Sequence, residues 1–254
     1  MTRLADLPFV EVEERLRLGA VALWPVGSTE AHGPHLPLST DVVIAEETCR
    51  RAAPQILAAL DLEALLLPPL AFTVTEYAAP FKGTISISKA TATAYVTEVL
   101  VSAAAQGFKA VVLVNAHLEP AHRFALRDAV KAARPLAACP VALADPCDRR
   151  WVSRLSAEFQ SGNCHAGQYE TSLVLAAEGA PKRPALARAL RPVDLDLVGG
   201  MQAGKKNFVE IGAQQAYFGA PAAATAEEGE ATYRTLAEIV VTVLTEALSP
   251  PEPK

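Results

Sequence analysis

Pro25-Val26-Gly27-Ser28-Thr29-Glu30-Ala31-His32-Gly33-Pro34-His35-Leu36-Pro37-Leu38-Ser39-Thr40-Asp41 is the stretch on which the reading of this chain turns. It sets Glu30, His32, His35 and Asp41 among two glycines and three prolines. Glycine and proline fix the path of a loop and keep it out of helix and strand. A loop stiffened in this way can aim several ligands in set directions. Imidazole nitrogen with carboxylate oxygen suits zinc and similar borderline metals. On the N-terminal side, residues 20–26 form a continuous apolar run, as a strand buried on both faces requires. On the C-terminal side Asp41 is placed to cap a helix reaching about Leu60, with Pro54 a point of kinking or division.

Working outward, residues 6–18 carry Phe9, Val12 and Leu16 at helical spacing. Further buried strands are predicted at 64–67, 110–114 and 141–144. Helices are predicted at 89–106, capped by Ser88 and ended by Gly107, and from Pro120 to about 133. Two more run from 165 to about 179, opened by His165 to Glu170, and over 224–248. Residues 72–82 read as a long loop, 83–88 as an extended segment and 146–164 as irregular with some helix. Residues 180–223, rich in Gly and Pro, resist assignment. Strands alternating with helices give an α/β domain with a parallel sheet covered on both faces. A single domain over residues 1–254 is expected. Sites in such sheets form beyond the carboxyl ends of the strands. Glu30 and His32 follow the first central strand, and His117 and Glu119 follow the third.

The 254 residues are 51% apolar and carry a net charge of -5. This balance argues against nucleic acid as a partner, since a basic face is its usual footprint. No apolar run approaches the ~20 residues that span a bilayer, and no apolar leader opens the chain. Cys49, Cys139, Cys147 and Cys164 show neither CxxC spacing nor a dense framework, so reduced thiols and a cytoplasmic location are expected.

All five histidines, His32, His35, His117, His122 and His165, lie in or beside three short segments that also hold carboxylates. Glu30-X-His32 and His117-X-Glu119 offer ligands from two separate strand ends. Asp41 is the natural bridge, giving one oxygen to each of two ions. Two ions ~3.5–4 Å apart make hydroxide from a bridging water at neutral pH and polarise a carbonyl, which together favour attack on an amide. His165 and Glu170 suit a general acid or a supporting group. His35 reads as structural and His122 as lying on an exposed or interface face of its helix. Glu76, Tyr77, Leu118 and Tyr217 are the candidate pocket residues. Cys164 beside His165 and Ser28 lack the context of a nucleophile.

Residues 27–41 resemble the signature of the creatininase (creatinine amidohydrolase) family. Asn115-Ala116-His117-Leu118-Glu119 is similar to its second segment, and residues 165–172, His-Ala-Gly-Gln-Tyr-Glu-Thr-Ser, to its third. Residues 81–86 and the Gly219-Ala220-Pro221 stretch, with Ala224, Thr225 and Gly229, add weaker likeness. The resemblance spans about residues 8–248. It implies a three-layer α/β/α amidohydrolase, assembled as a homo-oligomer, commonly a hexamer. Two divalent ions per chain are implied, zinc with manganese as the alternative at one position, acting on a small amide, cyclic ones included. Glu30, Asp41 and His117 would hold one ion, and His32, Asp41 and Glu119 the other. His165 and Glu119 would act in catalysis, and Glu170 would be a further ligand or support one. Ser161 and Gly162 stand where creatininase carries the Trp-Asp pair that encloses its substrate ring. Metallopeptidase and formamide hydrolase are the alternatives.

Overall fold

The computed structural model describes residues 1–249. Its sheet runs in the order β1-β3-β2-β4-β5, all parallel. The strands are β1 (Thr2–Arg3), β2 (Val21–Val26), β3 (Ala64–Leu66), β4 (Val111–Asn115) and β5 (Val141–Ala144). Alternation along β2 splits the core in two. Val21 and Leu23 join α2 (Thr40–Leu60), α7 (Gln168–Ala176) and α11 (Ala226–Leu248) on one face. Ala22, Trp24 and Val26 join α3 (Lys89–Ala104) and α4 (Pro120–Ala133) on the other. Leu23, Leu65 and Leu113 are fully buried, each contributing ~1.5–3 kcal/mol. This is the three-layer α/β/α arrangement.

Pro25 lies inside a central strand, a placement proline normally avoids. It is tolerated because β3 has already left the sheet there, and the Pro25 carbonyl accepts instead from the Leu70 N–H at 3.0 Å. Pro54 does not divide α2, since it is exposed and the carbonyl it leaves unpaired can meet water. Ser88 caps α3 through the Thr91 N–H, as expected. Asp41 does not cap α2. Ser39 holds the N-cap position and Asp41 turns into the site. The helix expected from His165 begins only at Gln168, because Ala166 adopts φ +50°.

The unassigned region contains α8 (Pro184–Ala189), α9 (Leu197–Gln202) and α10 (Phe208–Ile211). Leu197, Phe208, Ile211 and Phe218 pack with Ala31 into a small separate core that roofs the loop after β2. Between residues 146 and 164 lie α5 (Arg149–Val152) and α6 (Ala157–Ser161). The connection from β2 leads to β3 on one side and that from β4 to β5 on the other. The crevice between β2 and β4 is therefore the switch point at which α/β sheets bind ligands.

Candidate metal centre and cavity

Three loops converge beyond this crevice. The loop after β2 folds back on itself through a Glu30 N–H to Leu38 carbonyl bond of 3.0 Å. Gly27 lets β2 pass against the first turn of α2: a Cβ there would lie 2.5 Å from Val42 N and 2.8 Å from Asp41 Cβ. That approach brings Asp41 beside Glu30 and His32, at a helix N-terminus whose partial charge favours a carboxylate. After β4, Asn115 shapes the turn by accepting from the His117 N–H at 3.1 Å and donating to the His117 carbonyl at 2.8 Å. After α6, the Ala166 N–H donates to Glu170 Oε2 at 2.6 Å.

The side chains meet as follows. His117 Nδ1 lies 3.2 Å from Glu30 Oε1 and 3.0 Å from Asp41 Oδ2. His32 Nε2 lies 3.1 Å from Asp41 Oδ1 and 3.5 Å from Glu170 Oε2. His165 Nδ1 is 3.8 Å from Glu30 Oε1. The donor atoms form three overlapping groups: Glu30, Asp41 and His117; His32, Asp41 and Glu170; and Glu30, His32 and His165. Asp41 thus turns one oxygen to each of the first two groups.

Each imidazole is aimed by a main-chain carbonyl. His32 Nδ1 donates to Glu30 O at 3.2 Å, His117 Nε2 to Val74 O at 2.9 Å and His165 Nε2 to Ala31 O at 3.0 Å. The nitrogen that faces the carboxylates is in each case the one left with a lone pair, as a metal ligand requires. His32 Nε2 and Asp41 Oδ2 are buried with no hydrogen-bond partner among the described residues. Burial disfavours a charged His32, but Asp41, Glu170 and Glu30 outweigh it and raise its pKa to about 10. His117 is raised well above the usual imidazole range against the same burial by Glu30 and Asp41. The cluster demands positive charge at these nitrogens, and the donor set fits divalent cations that compete with protons for it.

Glu170 stands in one of the three donor groups, beside His32 and Asp41, and burial raises its pKa to about 8. Glu119, expected as a ligand, is in none of the three groups. Its carboxylate accepts instead from the N–H groups of Glu76 and Tyr77 at 3.1 and 3.2 Å. Burial raises its pKa. Glu119 still faces the cavity that opens over the cluster, about 400 Å³ in volume. Glu30, His117, His165 and Glu170 line it, with Tyr77 and Leu118 as expected. Glu76 does not: its side chain is exposed and only its N–H contributes. Tyr217 also lies outside, its hydroxyl donating to Arg191 O.

His122 is fully buried rather than on an exposed face. Its Nε2–H donates to Asn115 Oδ1 at 2.9 Å and its Nδ1 accepts from the Thr73 hydroxyl at 2.8 Å, bracing the His117 turn. His35 is structural, held by the Thr171 hydroxyl at 2.8 Å. Burial drives the Cys164 thiol far from ionisation, the opposite of what an activated thiol nucleophile needs. Residues missed in the sequence are Phe159, Leu197, Met201 and Phe208 of the apolar wall, Arg123, and Thr75, which donates to Glu30. None carried a periodic or motif signal. Glu158, also missed, accepts the N–H groups of Tyr169 and Ala220, both at 2.9 Å, and ties the start of α7 to the turn after Phe218.

A parallel α/β/α sheet with a buried acid–imidazole cluster at its switch point is an arrangement that can hold divalent metal ions. Residues 5–244 match the family described as creatinine amidohydrolase, and the chain belongs to this creatininase family. Among curated relatives, the mycofactocin precursor peptide peptidase of Mycobacterium tuberculosis is 32% identical over 84% of this chain and 80% of its own length. The same-named protein of Mycolicibacterium smegmatis is 33% identical over 61% of this chain, and only 57% of that relative is covered. The creatinine amidohydrolase of Pseudomonas putida is 31% identical over 46% of this chain and 45% of its own length. Among solved structures, a creatininase superposes with a TM-score of 0.75 at 22% identity, covering 98% of both chains. A manganese form of creatininase gives 0.74 at 21% identity, covering 98% of this chain and 99% of that one. These neighbours share the fold. No helix among the described residues is long and apolar enough to cross a membrane.

Proposed function

We propose that the chain is a dinuclear metal-dependent amidohydrolase that cleaves a small, non-peptide C–N bond. The observation that supports this most is Asp41, whose two oxygens face different imidazoles, His32 at 3.1 Å and His117 at 3.0 Å. Glu30, Asp41 and His117 would hold one divalent ion, and His32, Asp41 and Glu170 the other, with zinc expected and manganese the alternative at one position. Bound there, such ions would supply a hydroxide nucleophile at neutral pH and polarise the amide carbonyl. Glu119, anchored by two backbone N–H groups, is positioned to carry a proton to the leaving nitrogen. His165 presents Nδ1 to the same space as a neutral acceptor, since burial and His32 lower its pKa to about 4. The reading includes a cytoplasmic homo-oligomer of hexamer type. Phe9 and Leu18, 74% and 69% exposed, are apolar surface that a second copy could cover.

Elemental analysis is expected to find about two ions per chain, and chelation should abolish turnover that zinc or manganese restores. One ion or none in active protein would overturn the dinuclear reading. Glu119→Gln should leave fold and metal content intact while lowering turnover by roughly 10²-fold or more. Normal turnover in that variant would remove Glu119 from the mechanism.

A second reading, a peptidase that trims a small peptide, draws support from the 400 Å³ apolar-walled cavity and the peptidase-named relatives. Assay of lactams and formamides against short peptides separates the two.

A further inference from the structure

Arg123 is the one Arg or Lys side chain that lines the cavity among the described residues. It follows Glu119 by four residues in the first turn of α4, where its N–H donates to the Glu119 carbonyl at 3.0 Å. Both side chains line the cavity, Glu119 from the N-cap of α4 and Arg123 from its first turn.

Its bonds within the protein leave part of it free. Arg123 Nε donates to Asp145 Oδ2 at 3.0 Å and Nη2 to the Cys147 carbonyl at 3.0 Å, while Nη1 has no partner among the described residues. Asp145, only 4% exposed, is also paired with Arg127 Nη2 at 3.1 Å. One carboxylate facing two guanidinium groups leaves a net positive charge. Arg127 spends its share in solvent, at 46% exposure, and does not line the cavity. Of the two, Arg123 is therefore the one that lines the cavity, and it keeps Nη1 unpaired among the described residues. As a staple between α4 and Asp145, Arg123 overlaps with Arg127 and adds the bond to the Cys147 carbonyl. Around it the wall is apolar, formed by Leu118, Val152, Phe159, Leu197, Met201 and Phe208.

We propose that Arg123 is the anchor for a carboxylate on the substrate, so that the preferred substrate class is an acidic amide: an apolar group beside the scissile bond and a free carboxylate that meets the Arg123 guanidinium. The naming of that class rests on the amidohydrolase reading. A free N-acyl amino acid and a peptide C-terminus share this chemistry. A guanidinium with open donors suits a carboxylate in a way that a neutral carboxamide cannot match.

The test measures binding and turnover on the zinc-loaded protein. By calorimetry, 4-phenylbutyrate should bind about tenfold or more tightly than 4-phenylbutanamide. Arg123→Met, which keeps the apolar stem, should erase that preference, while Arg127→Met should retain it. Equal affinities in the unaltered protein would overturn the proposal. So would a preference that survives Arg123→Met, which would place the carboxylate on the metal. Loss of the preference in Arg127→Met as well would overturn it too, since Arg123 would then act only through Asp145. A thermal midpoint for each variant confirms that a folded protein is compared. In turnover, N-acetyl-L-leucine is set against N-acetyl-L-leucinamide, and acetyl-glycyl-leucine against its C-terminal amide. The acid of the preferred pair should have the lower KM, and Arg123→Met should raise that KM with little change in kcat. Preference for the peptide pair identifies a peptide C-terminus, and for the other a free acyl amino acid. Carboxylate-selective binding without hydrolysis of any amide would uphold the anchor and overturn the amidohydrolase reading.

Discussion

Asp41→Asn is expected to cost the protein both of the ions proposed for it and at least ~10²-fold of its turnover. Asparagine keeps the shape but offers one oxygen where aspartate offers two. Its amide nitrogen would donate toward the lone pair of either His32 or His117, which lie 3.1 and 3.0 Å from the native oxygens. The negative charge that both donor groups share would also be lost. Metal analysis after dialysis should therefore show less than one ion per chain, with both groups weakened together. Glu170→Gln, which touches only the His32 group, should spare the Glu30–His117 ion. Two retained ions in Asp41→Asn would break the bridging assignment.

Gly27→Ala is the second large effect, and it comes from backbone rather than chemistry. The added methyl carbon would sit 2.5 Å from Val42 N and 2.6 Å from Asp41 C, atoms that cannot swing aside as a side-chain tip can. Relief requires β2 and the first turn of α2 to separate, in a packed interior that resists such shifts. A destabilisation of about 2–3 kcal/mol is expected, and hence a Tm lower by roughly 5–10 °C. The same shift draws Asp41 away from Glu30 and His32, so metal affinity should fall although no ligand has changed. Calorimetry together with metal titration checks this. An unaltered Tm with full metal binding would show that the close approach at Gly27 does not set the position of Asp41.

The sequence was informative where one physical demand acted alone. Residues 20–26 had to be apolar throughout because layers cover both faces of β2, and that uniformity is readable. Ser88 caps α3 because its hydroxyl meets only Thr91, through both the N–H it caps and the Thr91 hydroxyl. Reading failed where two demands met on one residue. Asp41 suits a helix cap, but the pull of two imidazoles takes its side chain elsewhere. His122 appeared free to face solvent, yet Asn115 and Thr73 hold it inside. Glu119 and Glu170 are equally good ligands on paper. Their surroundings differ in the backbone donors each meets, two from residues 76–77 for Glu119 and one from Ala166 for Glu170, which spacing cannot reveal. Edge strand β1, two residues long, and the short helices α8 to α10 fall below the length at which periodicity is visible.

The aiming of His32, His117 and His165 by the carbonyls of Glu30, Val74 and Ala31 has a consequence for how such a protein changes over time. A carbonyl is present whatever amino acid supplies it, so the orientation of the rings is insulated from substitution at Val74 and Ala31. Part of the wall is tied to those bonds: the Phe208 ring lies 4.5 Å from that of His165 and packs with Ala31. Val198 and Gln202 of α9 line the same cavity outside that small core, so they can be exchanged for other shapes while the acid–imidazole cluster keeps its geometry, leaving new specificities open.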